Sequence, residues 1–417
     1  MAILEDGTSS HDFLKEKLRN CISSGKQDPF LVADLGQVVH KHRLLMQELP
    51  RVKPFYAVKC NNSKEVLWTL AALGTRFDCA SKSEIDLVLS IGVQADDIIY
   101  ANPCKQVSYI QHAARHGVRK MTFDCESELV KMAEYYPKAE MILRINVDDS
   151  GAMCPFSRKF GASLISCEHL LETANNLNLD VIGVSFHIGS SARNPQAFGQ
   201  AIKDGRNVFD IGNKLGHKMR LLDIGGGLPG NPSFQPSFEE FAVVINKALD
   251  QYFPMENGLE IIAEPGRYYV TSAGTLALNI VTKKVVNEKG EDGKIKKNIS
   301  YYMNDGIFVS FLESILHKIL LDPTSFLHLE EKLYGPAAPM QPWYRSILWG
   351  ASCDEEDIIM DEVYLPELDV GDWIIFPNMG AYSVTLYSSY CGFPKLPVYY
   401  VISKEHWCIL CNSNVIL

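Results

Sequence analysis

The chain has 417 residues, of which 47% are hydrophobic and 22% are charged, a composition typical of a globular protein with two domains and a sizeable core. Its formal net charge is −10 and it has no long basic block, so we expect a small-molecule substrate and neither nucleic acid nor a membrane as a partner. The N-terminus is acidic and no stretch reaches about 18 uninterrupted apolar residues, which predicts a cytoplasmic protein.

Eleven cysteines are scattered along the chain without a repeated metal-ligand spacing. They predict thiols in a reducing compartment and give no indication of a metal site. Cys408 and Cys411 form a single C-x-x-C, which we attribute to chance because no second pair or histidine cluster accompanies it.

The chain begins with a predicted helix over 13–22 and a predicted strand over 29–34, after which strands and helices alternate regularly. Strand-like runs occur at 55–59, 76–79, 98–100, 121–123, 141–145, 181–187, 220–224 and 260–264. Helical spacing occurs at 64–73, 83–91, 106–116, 126–136, 167–177, 196–215 and 238–252. This alternation predicts a (β/α)8 barrel, with an open doubly wound sheet as the alternative.

A barrel places the C-terminal ends of its strands on one rim, where functional side chains gather. Most of the residues that close or follow the eight predicted strands are polar or charged. They are Lys59, Asp78, Asn102, Asp124, Arg144, His187, Gly225 and Glu264. We therefore predict that these positions converge on one site.

Lys59 follows the apolar run that begins at Pro54, and this is the most informative of the rim positions. A lysine held in an apolar wall loses solvation, which favours the neutral, nucleophilic amine that can form a Schiff base. The alternative is a solvated surface charge, which is the usual state of a lysine at a strand end.

Three other rim features have distinct chemistry. Gly225, Gly226 and Gly227 expose backbone N–H groups that suit a phosphate, although a plain flexible turn would use the same residues.

Glu264 suits a protonated ring nitrogen and Arg267 suits a phosphate, unless the two pair with each other. His187 offers a flat ring for stacking, or is a satisfied core histidine. Together with Lys59 for an aldehyde, these features predict pyridoxal phosphate.

The sequence resembles the eukaryotic ornithine decarboxylase family over residues 29–402. The resemblance is carried by PFYAVKCN, FDCAS, YANPCKQVS, SFHIGS, LDIGGGLPG, AEPGRYYV, YYMNDG, WGASCDEED and NMGAYSV. It implies an alanine-racemase-like fold: a pyridoxal phosphate-binding (β/α)8 TIM barrel over 35–272 and a mainly-β domain over 273–417, with 1–34 packing on the β-domain.

The resemblance also implies roles for individual residues. Lys59 matches the Schiff-base lysine, Glu264 the partner of the pyridine nitrogen, and His187 the ring-stacking residue. The residues that match the phosphate site and the support of the lysine and cofactor face are Ser190, Gly225, Gly226, Gly227, Arg267, Tyr382, Asp78 and Arg144.

Members of the resembled family form homodimers with shared active sites. Cys353 and Asp354 would enter the site from the other subunit, with Cys353 as the acid that reprotonates Cα. Lys159 and Asp357 match an ion pair across the interface, and residues 116–138 match a region that contacts antizyme. The sequence therefore leaves both alternatives open, that antizyme binds this chain and that it does not.

The chain departs from the family at the distal end of the substrate pocket. Leu316 and His317 replace a Tyr-Asp pair whose Asp binds the distal ammonium of ornithine, and Phe308 and Tyr390 replace a Tyr and a Phe. Loss of one carboxylate from a buried ammonium costs roughly 3–5 kcal/mol. We therefore expect a decarboxylase shifted from ornithine toward a neutral aliphatic amino acid such as leucine.

Two alternatives to this substrate remain. If His317 points to solvent, the protein is an ornithine decarboxylase. If the catalytic residues are not used, it is an antizyme-binding protein like the antizyme inhibitors. The presence of Asp78, Arg144, Arg267 and Tyr382 favours an enzyme, because the binding proteins of the family lack some of their counterparts.

Overall fold

A computed structural model of the chain describes residues 1–255, 258–289, 295–317, 321–326 and 342–412, except for the side chains of 288, 289, 295 and 317. These residues form two compact units, which we call the barrel unit and the β unit. The barrel unit comprises 37–270 and 409–412, and the β unit comprises 1–36 and 271–408 without the gaps.

The described strands are β1 (Ala2–Leu4), β2 (Phe30–Asp34), β3 (Val52–Ala57), β4 (Arg76–Cys79), β5 (Ile98–Tyr100), β6 (Lys120–Phe123), β7 (Glu140–Arg144), β8 (Ala152–Cys154), β9 (Asp180–Ser185), β10 (Ser190–Ala192), β11 (Leu221–Asp223), β12 (Glu260–Ala263), β13 (Gly274–Lys289), β14 (Ile295–Met303), β15 (Thr324–Ser325), β16 (Trp343–Trp349), β17 (Ile358–Pro366), β18 (Trp373–Phe376) and β19 (Val398–Ser403).

The described α-helices are α1 (Ser10–Ser24), α2 (Leu35–Glu48), α3 (Lys64–Ala72), α4 (Lys82–Ser90), α5 (Val107–Arg115), α6 (Glu126–Tyr135), α7 (Cys167–Asn176), α8 (Gln196–Lys214), α9 (Phe238–Tyr252), α10 (Arg267–Val270), α11 (Leu312–His317) and α12 (Lys404–Asn412). Short 3-10 helices span Val58–Cys60, Ala95–Asp97, Thr271–Ala273 and Tyr390–Gly392, and a π-helix spans Ile307–Phe311.

Eight parallel strands close the barrel in the order β3-β4-β5-β6-β7-β9-β11-β12. The predicted (β/α)8 barrel is therefore confirmed, and the open doubly wound sheet is wrong. Apolar side chains that alternate along the strands fill the interior in a layer. Its buried members are Phe55, Ile99, Ile142, Ile182, Leu221 and Ile262.

Two barrel strands end two residues earlier than the sequence predicted. β3 ends at Ala57, so Lys59 lies in the 3-10 turn Val58–Cys60 instead of on the strand. β9 ends at Ser185, two residues before His187. Both residues therefore lie on the loops that follow their strands, where the backbone is able to turn a side chain toward the rim.

The β unit is built on a sheet in the order β1-β19-β2-β13-β14-β16-β17, with β18 paired to β13 and β15. The predicted mainly-β second domain is confirmed. Its strand β2 pairs antiparallel with β13, with Leu31 opposite Leu276. Within the part of the chain that is described, no helix has both the length and the apolar character needed to cross a membrane.

Candidate active site

Lys59 and Asp78 form an ion pair on the barrel rim. In the barrel Ala57 lies opposite Asp78, so the turn after β3 carries the lysine over the end of β4. Lys59 Nζ lies 2.6 Å from Oδ2 of Asp78, whose side chain is completely buried. The lysine side chain is 43% exposed and its ammonium is paired with a carboxylate, so the expected dry wall around a neutral amine is wrong for this structure.

His187 presents a neutral imidazole. The backbone N–H of Gly189 donates to its Nδ1 at 3.0 Å, so the ring proton resides on Nε2. Burial lowers the pKa of His187 well below its usual value, and the nearby Arg144 and Lys59 lower it further. The ring therefore remains uncharged at neutral pH, as a stacking surface requires.

The glycine run after β11 packs so closely against neighbouring backbone carbonyl groups that a residue with a Cβ atom would not fit. A Cβ on Gly225 would lie 2.1 Å from the carbonyl oxygen of Phe186, and one on Gly227 would lie 2.4 Å from that of Gly189. Both glycines also adopt positive φ, 64° and 104°. The run is thus a tightly packed turn with bare backbone, the geometry that the predicted phosphate cradle needs, and its binding of a phosphate stays a prediction.

Arg267 and Ser190 meet beside this turn. Nε and Nη2 of Arg267 donate to Oγ of Ser190 at 3.2 and 3.1 Å. Arg267 is buried, and it begins α10, directly after the Glu264–Gly266 segment. A buried guanidinium and a hydroxyl side by side are donors that match phosphate oxygens.

Glu264 forms a buried carboxyl pair with Asp223, a residue that the sequence reasoning did not select. The backbone N–H of Glu264 donates to the carbonyl of Gly225 at 2.8 Å, which fixes the two strand ends together. Burial raises the pKa of Glu264 well above its usual range, and the Asp223 carboxylate raises it further. Burial also raises the pKa of Asp223 to about 7. The pair therefore retains a proton unless a cation lies beside it.

Arg144 and the loop around Phe156, a segment that the sequence predicts to lie near the mouth of the barrel, complete the rim. Arg144 closes β7, and its guanidinium carbon lies 5.0 Å from the ring centroid of Phe160. The ring of Phe156 meets His187 edge to face at a centroid distance of 5.0 Å. Asp149 accepts the backbone N–H groups of Phe156 and Ser157, which holds this loop in place.

These barrel residues fit pyridoxal phosphate. A lysine amine, a glycine cradle beside an arginine, a neutral imidazole and a buried carboxyl pair provide partners for its aldehyde, phosphate, ring face and ring nitrogen. Oδ1 of Asp78 and Oδ2 of Asp223 are buried and accept no hydrogen bond from the described residues. These two acceptors suit a cationic ligand group, because buried polar atoms are normally paired.

The β unit carries the residues predicted to bind substrate. The rings of Phe308 and Tyr390 pack against each other with centroids 4.5 Å apart. The neighbouring Cys391 thiol and then the Asp354 carboxylate raise the pKa of the Tyr390 hydroxyl, which places Asp354 close to this pair. Cys353 contributes to the same effect and is exposed. Leu316 on α11 is 59% exposed, and the side chain of His317 lies outside the described part of the structure.

Asp357 is buried in the β unit, and its role there was not foreseen. Its Oδ1 accepts the backbone N–H of Ile307 at 2.8 Å and its Oδ2 accepts that of Ser352 at 2.8 Å. The carboxylate therefore links the π-helix that carries Phe308 to the loop that carries Cys353. The expected ion pair of Asp357 with Lys159 of a second copy stays a prediction.

Tyr382, the last predicted phosphate ligand, also lies in the β unit. Its φ is 57°, in the left-handed region that a tyrosine rarely adopts. The hydroxyl of the adjacent Ser383 donates to the carbonyl of Met379 at 2.6 Å, which helps to hold this turn. Backbone strain at a predicted site residue is consistent with a functional position.

Known proteins share both the sequence and the fold. A family model described as the pyridoxal-binding domain of pyridoxal-dependent decarboxylases matches residues 35–271. Ornithine decarboxylase from Rattus norvegicus is 50% identical over 410 residues, which cover 97% of this chain and 87% of the relative. Antizyme inhibitor 2 from Xenopus laevis is 49% identical over 408 residues, which cover 97% of this chain and 88% of the relative.

A solved structure resembles the whole chain as well. Arginine decarboxylase from Paramecium bursaria Chlorella virus, bound to agmatine, has a TM-score of 0.84 at 36% identity. The match covers 93% of this chain and 100% of the viral one.

Proposed function

Because the chain belongs to the family of pyridoxal-dependent decarboxylases, as predicted, we propose that it removes the α-carboxylate of an amino acid as CO2 and leaves a primary amine. The observation that carries this proposal is the Lys59–Asp78 pair, 2.6 Å apart on a barrel rim that also holds a tightly packed turn of three glycines and a buried carboxyl pair. Pyridoxal phosphate, the confirmed cofactor of the family, supplies the electron sink for the pair of electrons that CO2 leaves behind.

Each rim residue has a task in this reaction. Asp78 orients Nζ of Lys59, and its carboxylate compensates the positive charge on that group. Ser190, Arg267 and the glycine turn would hold the phosphate.

The remaining residues act on the ring of the cofactor. The neutral His187 would cover one ring face, and Glu264 would hold the proton on the ring nitrogen. The positive charge of the protonated ring nitrogen would balance the negative charge of the carboxyl pair. It would also stabilise the negative charge that the ring receives when CO2 leaves.

The substrate we propose is a neutral aliphatic amino acid, with leucine as the first candidate. The distal carboxylate of the resembled family is absent, since Leu316 and His317 stand at its position. Phe308 and Tyr390 add a packed aromatic pair close to Asp354. A buried ammonium with one carboxylate missing loses roughly 3–5 kcal/mol, or about 10²–10⁴ in relative affinity.

The direct test measures CO2 release by the cofactor-loaded protein from ornithine, lysine, arginine, leucine, norvaline and methionine in parallel. A neutral amino acid with the highest kcat/KM supports the proposal. Ornithine with the highest kcat/KM supports the decarboxylase and rejects the shift in specificity.

We further propose that the working form is a homodimer in which Cys353 and Asp354 serve the partner's barrel. The exposure of Cys353 supports this arrangement, because an acid that acts in another subunit has to be accessible in its own. Mixing inactive Lys59→Ala protein with inactive Cys353→Ala protein should restore part of the activity, because one site of the mixed dimer is then intact. Absence of recovery in a verified mixed dimer rejects the shared site.

Two smaller proposals accompany this one. All eleven cysteines are described and no pair forms a disulfide, which supports a cytoplasmic location.

Similarity to antizyme inhibitor 2 favours antizyme binding as a second candidate function. A protein that binds antizyme and releases CO2 from none of the six amino acids would favour binding over catalysis.

A further inference from the structure

Three potential metal ligands meet on helices of the barrel unit, apart from the candidate active site, although His116 is also the first residue of the region 116–138 that matches the antizyme contact. Asp86 belongs to α4, His112 belongs to α5, and His116 directly follows α5. Their side-chain ligand atoms all lie within 4.8 Å of one another. Ligands of a single ion about 2.0–2.2 Å away lie closer together than this, so small side-chain rotations would complete the site.

The backbone arrangement fixes this cluster. His112 and His116 have i, i+4 spacing at the end of α5, so both rings lie on one face of the helix. Their ring centroids are 4.4 Å apart at an angle of 45°. Nε2 of His112 lies 2.6 Å from Oδ1 of Asp86, which brings in the neighbouring helix.

An ordinary histidine–carboxylate ion pair explains only part of this geometry. Such a pair occurs elsewhere in the barrel unit, where Nε2 of His169 lies 3.5 Å from a carboxylate oxygen of Glu126. The cluster differs because it adds a second imidazole at van der Waals distance from the first. If both rings were protonated, their charges would repel each other, whereas a shared cation would bind both as neutral ligands.

We propose that Asp86, His112 and His116 bind a divalent transition-metal ion, with Zn2+ as the probe of choice. Two imidazole nitrogens and one carboxylate suit zinc and its neighbours, whereas Mg2+ and Ca2+ prefer sites made only of oxygen. Asp86 and His116 are exposed, so the ion can enter and water can take the fourth position. The metal links α4 to α5 on the outside of the barrel and stabilises the folded state, because the unfolded chain does not hold the three ligands together.

Equilibrium dialysis of the full, cofactor-loaded protein against Zn2+ tests the site. Asp86→Asn and His116→Asn each remove an exposed ligand, so their folding should remain intact. Each should bind one Zn2+ per chain fewer than the wild type, with affinity at this site weakened by more than the roughly 10–100-fold that loss of an outer-shell partner costs. His169→Asn is the matched control, since it removes an exposed histidine from a pair that has no third ligand among the described residues.

Exposed thiols such as Cys408 and Cys411 contribute the same background in every variant, so the result is the difference between variants. Thermal unfolding gives an independent readout: Zn2+ should raise the Tm of the wild type and of His169→Asn more than that of His116→Asn. Equal zinc content in wild type and His116→Asn overturns the proposal. So does an equal loss in His169→Asn, which would indicate general histidine binding.

Discussion

The residues proposed to hold the cofactor on the barrel rim and the residues proposed to bind substrate in the β unit are built into the fold in different ways. On the rim, the functional side chains follow regular strands and are fixed by short contacts, such as Lys59 with Asp78 and Arg267 with Ser190. In the β unit, the residues proposed to bind substrate lie on a π-helix, a loop, a 3-10 turn and the short helix α11. Tyr390 is 44% exposed, and Cys391 beside it has a positive φ of 54°.

This difference assigns the reaction chemistry to the barrel rim and the choice of substrate to the β unit in our proposal. Strand ends of a closed barrel hold their positions when loop sequences change, so the cofactor set is preserved while the substrate pocket varies. The departures from the ornithine decarboxylase pattern at the proposed substrate residues are found in the β unit. Phe308 and Tyr390 lie on irregular segments, which tolerate substitution, and Leu316 and His317 end the short helix α11. Variants in the two regions should therefore affect different kinetic quantities.

The largest effect is expected from Lys59→Ala. Removal of the amine that binds the aldehyde should abolish the visible absorbance of lysine-bound cofactor and lower kcat by roughly 10⁴-fold or more, the scale for loss of a nucleophile. Lys53→Ala is the control: Lys53 is an exposed lysine on β3, where it pairs with Glu260. Normal CO2 release by Lys59→Ala would contradict the assignment of the rim.

The double change Leu316→Tyr with His317→Asp tests the other region. Restoring a carboxylate should raise the ratio of kcat/KM for ornithine to that for leucine by about 10²–10⁴, while cofactor absorbance stays the same. Ile315→Asp adds a carboxylate to the same helix, at a residue that is also exposed. If Ile315→Asp changes the ratio equally, general charge accounts for the effect and the specific position does not.

The fold and the convergence of the candidate cofactor residues on one rim were largely predictable because both depend on local patterns. Apolar runs alternating with helical spacing identify the barrel, and residues such as Lys59 and Glu264 directly follow those runs. Asp223 could also have been found, since an acidic residue in an apolar strand beside three glycines requires a partner. Its partner Glu264, however, lies 41 positions further along the chain, and no local pattern reveals a pairing over that distance.

The contacts that the sequence did not reveal are those made by loops. Phe156 meets His187 across 31 positions, and Asp357 binds the N–H of Ile307 across 50 positions. Neither segment has a periodic pattern, so nothing in its own sequence indicates its partner. Lys59 shows a related limit: the apolar run predicted burial, but the strand ends two residues earlier and the side chain remains partly exposed.

The carboxyl pair gives the cofactor-free barrel a pH dependence. Burial raises the pKa of Asp223 from its ordinary 3.8 to about 7, so the folded state holds a proton that the unfolded chain releases above about pH 4. This contribution to stability is complete below pH 3.8 and is lost as the pH rises to 7. Asp223→Asn should remove it, a difference of at most about 4 kcal/mol in urea unfolding. Asp250→Asn, at an exposed position, should retain the wild-type slope.

The smallest effect is expected from Asp357→Asn in the β unit. The amide keeps one acceptor oxygen, so it can bind Ile307 or Ser352 but loses the charge that strengthens both bonds. The free energy of unfolding should fall by about 1.5–3 kcal/mol, the scale of one hydrogen bond to a charged group.

Because Asp357 links the segments of Phe308 and Cys353, the variant should also raise the KM for substrate while leaving cofactor absorbance unchanged. Asp361→Asn, at an exposed position on β17, controls for loss of charge. An Asp357→Asn protein that loses stability but retains the wild-type KM would show that the link supports the fold alone. The substrate residues would then be held by their own packing, as the contact of Phe308 with Tyr390 allows.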